Sequence, residues 1–226
     1  MDQVFTTKEQ IYQYLVQHQD FKCLDANVLR DLADKATLRV VKRGKKIFNQ
    51  GKHVKSSYCI VEGHVKIRKL NLEGVPTFIT YLEPQAFFSI RTLFGRSEIH
   101  HYAADAICDV LLIEIPHQIV RGLVQTQVTF SRALLNRVHQ MFDTVERRMQ
   151  EIGSSSAQVR IEQTVFLLKE NHARYIKETI RIPFKISLAE LALMSGTTRE
   201  TTSQVVKKME HENTIKYQNK IFSFVG

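Results

Sequence analysis

Residues 187–210 read SLAELALMSGTTRETTSQVVKKME, and this stretch decides the fold of the C-terminal third. Ser187 is a good N-cap, and Glu190 three residues later completes a capping box. Leu191, Ala192 and Met194 form an apolar face. Ser195-Gly196-Thr197 interrupts it, with Gly196 free to take positive φ. Thr198 caps a second helix whose core side is Val205, Val206 and Met209. Two short helices joined by a glycine turn are the helix-turn-helix signature, with the small Ala192 where the helices approach. On the second helix Arg199, Glu200, Ser203 and Gln204 share the exposed side near the N-terminus. These residue types suit entry into the major groove of DNA. Arg grips guanine O6 and N7, Glu accepts from cytosine N4, and Gln pairs with adenine N6 and N7. Ser187, Thr198 and Thr201 put short hydroxyls at helix starts, where phosphate oxygens are well received. Lys207, one turn beyond Gln204, is placed for backbone phosphate. An ordinary αα-hairpin with a solvated polar side is the competing reading. The tail counts against it: Ile215-Lys216-Tyr217, then Gln218-Asn219-Lys220, then Ile221-Phe222-Ser223-Phe224 reads as a hairpin. That makes the unit a winged helix-turn-helix with a basic wing tip.

Upstream, Gly153-Ser154-Ser155-Ser156 marks a boundary. The glycine suits a left-handed C-cap and the serines can cap a helix over 157–170. Before it, residues 116–152 are helical in pattern, and their apolar positions form heptads. Val128, Leu135, Phe142 and Met149 repeat at one site, with Val138, Val145 and Ile152 three residues on. Only Ser131 breaks the second series. Such an a/d seam is the pattern of a two-stranded coiled coil, so this helix is expected to pair with its copy. A helix lying on its own domain is the alternative, but that arrangement uses a wider apolar stripe.

From about 38 to 115 short apolar or alternating runs are punctuated by turns. Tyr58-Cys59-Ile60-Val61 and Val65-Lys66-Ile67 read as strands joined at Glu62-Gly63-His64, and Gly44, Gly51, Gly63 and Gly74 recur along the segment. Many short strands at such spacing predict an antiparallel β-roll of jelly-roll type. Residues 1–36 carry helical spacing through Ile11, Tyr14, Leu15 and then Val28, Leu29, Leu32, Ala33. The expected architecture is α+β: helices and sensor β-roll over 1–115, a dimerisation helix over 116–152, and the winged helix-turn-helix over 153–226.

The 226 residues suffice for one or two domains and a real core. With 43% hydrophobic and 24% charged residues the chain is neither disordered nor collagen-like. Its longest apolar runs, such as residues 110–113, are too short to cross a bilayer, and no signal peptide is visible, so no membrane partner and a cytoplasmic location are expected. Cys23, Cys59 and Cys108 form no CxxC pair, which leaves no zinc ribbon; buried, inert thiols are the expectation for Cys59 and Cys108. The net charge is +9, and residues 153–226 hold 11 Lys or Arg against 7 Asp or Glu, about 1.6 times as basic per residue as the rest. That excess suits a polyanion partner there. No G-x-S-x-G, HExxH or P-loop is present, so an enzyme is not expected.

The run Thr198-Arg199-Glu200-Thr201-Thr202-Ser203-Gln204 is similar to a T-R-E-T-[VI]-S-R pattern. It is accompanied by KRGKKIFNQG at 42–51, IVEGHVKI at 60–67 and Ala104-Asp105-Ala106. With the order of β-roll, seam helix and winged helix-turn-helix, the chain resembles the Crp–Fnr family of bacterial transcription regulators over nearly its whole length. The resemblance implies a homodimer on a pseudo-palindromic operator, with double-stranded DNA and RNA polymerase as partners. It gives base reading to Arg199, Glu200 and Gln204, and phosphate contact to Ser187, Thr198 and Thr201. Gln204 replaces the family's Arg. Thr202 replaces an apolar residue on the packing side, where little effect on readout is expected. Members that bind cyclic AMP carry a Gly-Glu pair for the ribose and an Arg-Ser pair for the phosphate. Here Phe88-Ser89-Ile90-Arg91 and His100-His101-Tyr102 hold the corresponding places, without the carboxylate or the Arg-Ser. Iron–sulfur members cluster N-terminal cysteines, and Cys23 stands alone there. Neither effector is expected in the usual way. Arg91, His100 and His101 remain the candidate effector pocket, as an anion or metal site or as plain surface and core; no metal and no cofactor are assigned. The alternative function is a ligand-sensing roll that regulates another protein.

Overall fold

The computed structural model describes residues 7–224 except 96, 155 and 177, and within the long helix no side chains at 144, 145 and 147–154. The chain divides into two compact units, residues 1–70 with 81–143, and residues 71–80 with 144–226.

The first unit opens with α1 (Thr7–Gln17) and α2 (Ala26–Lys35). Eight strands follow in the chain: β1 (Thr37–Val41), β2 (Lys46–Phe48), β3 (Ser56–Glu62), β4 (Val65–Leu70), β5 (Pro76–Leu82), β6 (Phe87–Phe88), β7 (Ala103–Ala106) and β8 (Val110–Pro116), of which β5 falls largely in the segment 71–80 that groups with the second unit. They form two antiparallel sheets ordered β1-β8-β3-β6 and β2-β7-β4-β5. The consecutive strands β3 and β4 therefore lie in different sheets, which is the jelly-roll crossing. Gly63 makes that crossing possible: its φ is +87°, and a Cβ there would sit 2.4 Å from the Asp109 carbonyl oxygen.

Alternation along β3 and β8 sorts their side chains onto two faces. Ile60 and Leu112 join Val65, Ile67, Phe88 and Ala104 between the sheets. Cys59, Ile113 and Ile115 face the other way, against Ile11 and Leu15 of α1, Leu29 and Leu32 of α2, and Phe130 and Leu134. That sheet is apolar on both faces because helices cover its outer one.

The expected single helix over 116–152 is two helices, α3 (His117–Thr126) and α4 (Val128–Ser154). Gln127 between them is extended, with φ −111° and ψ 95°. The β-branched run Val124, Thr126, Val128, Thr129 favours such a break. α4 continues through Gly153, so that glycine is an interior helical residue and not the expected C-cap. Ser156 does cap α5 (Ala157–His172), its hydroxyl accepting from the Val159 N–H at 3.3 Å.

The second unit continues with β9 (Arg174–Ile176), β10 (Thr179–Arg181), α6 (Leu188–Ser195), α7 (Arg199–His211), β11 (Ile215–Gln218) and β12 (Ile221–Phe224). Its sheet is ordered β11-β12-β10-β9. The hairpin β11–β12 turns at Asn219 and Lys220, with φ of 54° and 66°. Two positive φ values in a two-residue loop match the right-handed twist of the strands.

Candidate nucleic-acid interface

α6 and α7 form as their caps dictate. Both halves of the box at Ser187 are made: its hydroxyl accepts from the Glu190 N–H at 3.2 Å, and its own N–H donates to Glu190 Oε2 at 2.8 Å. The Ser187 hydroxyl also donates to Glu190 Oε2 at 2.8 Å, so its proton points into the box. Gly196 ends α6 in the left-handed region, at φ 62°. Thr198 caps α7 by accepting from the Thr201 N–H at 3.1 Å. The Thr198 and Thr201 hydroxyls lie 2.9 Å apart, and of the pair's two protons only one is used between them.

Thr202, Val205 and Val206 of α7 are buried, as are Leu191 and Ala192 of α6, the helix it packs on. The opposite side of α7 carries Arg199, Glu200, Gln204 and Lys207, all exposed, with Ser203 half-buried beside them. Positions 200, 203, 204 and 207 follow the three-and-four spacing of one helical face. The first two turns of α7 thus present a guanidinium, a carboxylate and an amide together. This is a hydrogen-bonding set for base edges above a helix end that favours phosphate.

The wing is anchored to this pair. The Tyr217 N–H donates to Glu210 Oε1 at 2.8 Å, and the Tyr217 hydroxyl donates to the Ile186 carbonyl at 2.9 Å. Burial pushes the Tyr217 hydroxyl pKa up. β9 and β10 escaped the sequence reading. The signal was the alternation in Arg174–Ile176 and Thr179–Arg181, obscured because the turn uses Glu178 at φ 60° in place of glycine.

On α4 the seam residues Val128, Leu135, Val138 and Phe142 are exposed, as is Met141 between them. Phe130 and Leu134 on the other side are fully buried in the first unit. The side chains of Val145, Met149 and Ile152 lie outside the described residues.

Arg91, His100 and His101 stand in different surroundings. His100 is buried, stacked on Phe48 with ring centroids 3.7 Å apart, and its Nδ1 lies 3.3 Å from the Ser89 hydroxyl. Burial first, and then the nearby His117, lower its pKa to about 4. His117 is also lowered to about 4, by burial and then by Arg121. Its two ring nitrogens meet Ser57 Oγ at 2.9 Å and Thr92 Oγ1 at 3.0 Å. Arg91 is exposed and donates to the Tyr102 hydroxyl at 3.1 Å. His101 is half-buried, its pKa lowered by desolvation and then by Arg91 and Lys69. Among the described residues no group of three or more His, Cys, Asp or Glu is placed to hold a metal ion. Cys59 is buried and its thiol pKa is raised by that burial.

Two family models match the chain: a cyclic nucleotide-binding domain over residues 38–127 and a Crp-like helix-turn-helix domain over 164–223. The cAMP-activated global transcriptional regulator CRP of Haemophilus influenzae is 24% identical over 183 residues, covering 80% of each chain. Among solved structures, the c-di-GMP responsive global regulator CLP of Xanthomonas campestris superposes with a TM-score of 0.70 at 18% identity, covering 89% of this chain and all of that one. FixK2 of Bradyrhizobium japonicum does so at 0.69 and 18%, covering 84% and 93%.

Proposed function

The chain belongs to the Crp–Fnr family of DNA-binding transcription regulators, and from that premise we propose that it acts as a homodimer on a pseudo-palindromic operator. Residues 1–115 sense, 116–152 pair the subunits, and 153–226 read DNA. The exposed face of α7 is the observation that carries this reading: Arg199, Glu200, Ser203 and Gln204 face base edges, while Thr198, Thr201 and Lys207 hold phosphates. Ser187 contributes a phosphate contact only after its hydroxyl leaves Glu190. The open apolar row on α4 supports pairing. Two recognition helices about 34 Å apart would then enter successive major grooves of one duplex. RNA polymerase is the further partner of a regulator held at such a site.

On this reading cyclic AMP is not held in the usual way. No carboxylate stands at Phe88-Ser89-Ile90-Arg91 for a ribose, and the Arg91 guanidinium is at the surface on Tyr102. His100 is neutral at pH 7 and stacked in an aromatic core with Phe48, Tyr58 and Phe88. No clustered cysteines surround Cys23 for an iron–sulfur group.

The test is selection of binding sites from random duplex DNA, followed by footprinting. The reading expects an inverted repeat whose half-sites lie one helical turn apart. Enrichment of no sequence, or of a single unrepeated half-site bound by one subunit, overturns it.

A further inference from the structure

We propose that a relay of three hydroxyls, on Ser195, Thr197 and Thr202, clamped by Arg160, positions α7 for base reading. The inference rests on the DNA-reading role of α7. The related motif carries Val or Ile at position 202, and this chain carries a fully buried Thr. A buried hydroxyl is tolerated only when bonded, and the bonds of Thr202 lead across the turn. Thr202 Oγ1 donates to the Thr198 carbonyl at 2.9 Å and lies 2.9 Å from Thr197 Oγ1. Thr197 Oγ1 lies 2.9 Å from Ser195 Oγ. Each hydroxyl has one proton, so a directed chain from Ser195 to Thr197 to Thr202 to the Thr198 carbonyl uses all three. The Leu191 carbonyl, 2.8 Å from Ser195 Oγ, is the alternative acceptor at the α6 end.

Arg160 of α5 closes the other side. Its Nε donates to the Ser195 carbonyl at 3.1 Å and its Nη2 to the Gly196 carbonyl at 3.2 Å. These carbonyls end α6, where no intrahelical donor remains and a cation is favourable. The end of α6, the turn and the first turn of α7 are thereby one hydrogen-bonded unit. Arg199 and Glu200 project from that unit, and a base contact tolerates little displacement of the side chain that makes it. Thr202 is therefore a positioning residue for sequence discrimination, contrary to the small effect expected from its place on the packing side.

The experiment uses the full-length protein and an operator selected from random DNA by that protein. Discrimination is the ratio of Kd for single-base-pair operator variants to Kd for the operator. Thr202→Val keeps the volume and removes the relay; Thr202→Ser keeps the hydroxyl. Thr202→Val is expected to lose about three- to tenfold in discrimination, on the scale of one hydrogen bond. Its melting temperature and the salt slope of binding should stay at the parent values. Thr202→Ser should retain discrimination, and Arg160→Ala should lose it as Thr202→Val does. Unchanged discrimination in Thr202→Val overturns the proposal. So does an equal weakening on all DNA with a lowered melting temperature, which marks a stability role alone. Failure of the parent to select an operator counts against the DNA-reading role itself and is read before any variant is made.

Discussion

Replacing Phe142 by Ala should dissociate the subunits without unfolding them. Phe142 keeps 63% of its surface exposed, in a row with Val128 at 72%, Met141 at 57%, Leu135 at 55% and Val138 at 40%. Burying a large apolar side chain fully is worth about 1.5–3 kcal/mol. Phe142 has most of that still to gain, about 1–2 kcal/mol in each subunit. A two-fold interface counts the residue twice, so the variant loses about 2–4 kcal/mol of association, or roughly 30- to 1,000-fold in the dimer dissociation constant at 1.4 kcal/mol per tenfold. Sedimentation equilibrium across a concentration series measures it directly. Leu134 gives the internal control, because it lies on the same helix but is fully buried in the first unit. Leu134→Ala should cost about 2–5 kcal/mol of folding stability through the cavity it leaves. Its effect on association should be the smaller of the two. An association constant for Phe142→Ala within threefold of the parent refutes the reasoning. A larger association defect in Leu134→Ala refutes it equally, since the faces of α4 would then have been assigned the wrong way round.

Arg199→Ala should weaken operator binding by about 1–3 kcal/mol and relax preference at one base pair per half-site, read by gel shift against operator variants. Arg137→Ala leaves the Asp20 carboxylate, which is 7% exposed, with only His18 Nδ1 at 3.8 Å of its two ion-pair partners among the described residues, and should cost about 3–5 kcal/mol in urea unfolding. Lowered histidine pKa values at His100 and His117 mean that below pH 6.5 the unfolded chain binds protons that the folded chain refuses until about pH 4. Urea stability should therefore hold at pH 7 and fall between pH 6.5 and 4, with a shallower fall when both histidines are replaced by Asn. Gly63→Ala should lower the melting temperature sharply, because its φ of +87° and the Asp109 carbonyl at 2.4 Å both exclude a Cβ.

The helix-turn-helix was legible because each of its boundaries is chemical: Ser187 with Glu190, Gly196, and Thr198 make local bonds that need no tertiary context. The hairpin at 215–224 was legible for the same reason. The break at Gln127 was not, since a heptad pattern records which faces are apolar and is blind to one extended residue between two helices. Strands β9 and β10 span three residues each, too few for an alternation to stand out without a glycine turn. The candidate effector residues were the least legible. Sequence placed Arg91, His100 and His101 together, but stacking on Phe48 makes His100 part of the core while Arg91 stays in solvent. Neighbourhood in the chain does not encode which side of a roll a side chain takes at an irregular loop.

Charge is the weakest of the signals for locating the DNA surface. Nine of the 32 Lys and Arg fall between residues 42 and 69, against one of the 23 acids, Glu62. Lys45, Lys46, Lys52 and Lys55 among them are exposed. This segment is denser in cations than residues 153–226, with their 11 against 7. Coulomb attraction draws any polyanion and reports nothing about register. What distinguishes the C-terminal unit is direction: a capped helix end, a satisfied buried face in Thr202, Val205 and Val206, and opposite them side chains that can each be matched to a particular base edge. The roll's lysines supply charge without that geometry, which is why the proposed sequence-specific site is on α7 even though the larger share of the positive charge lies elsewhere.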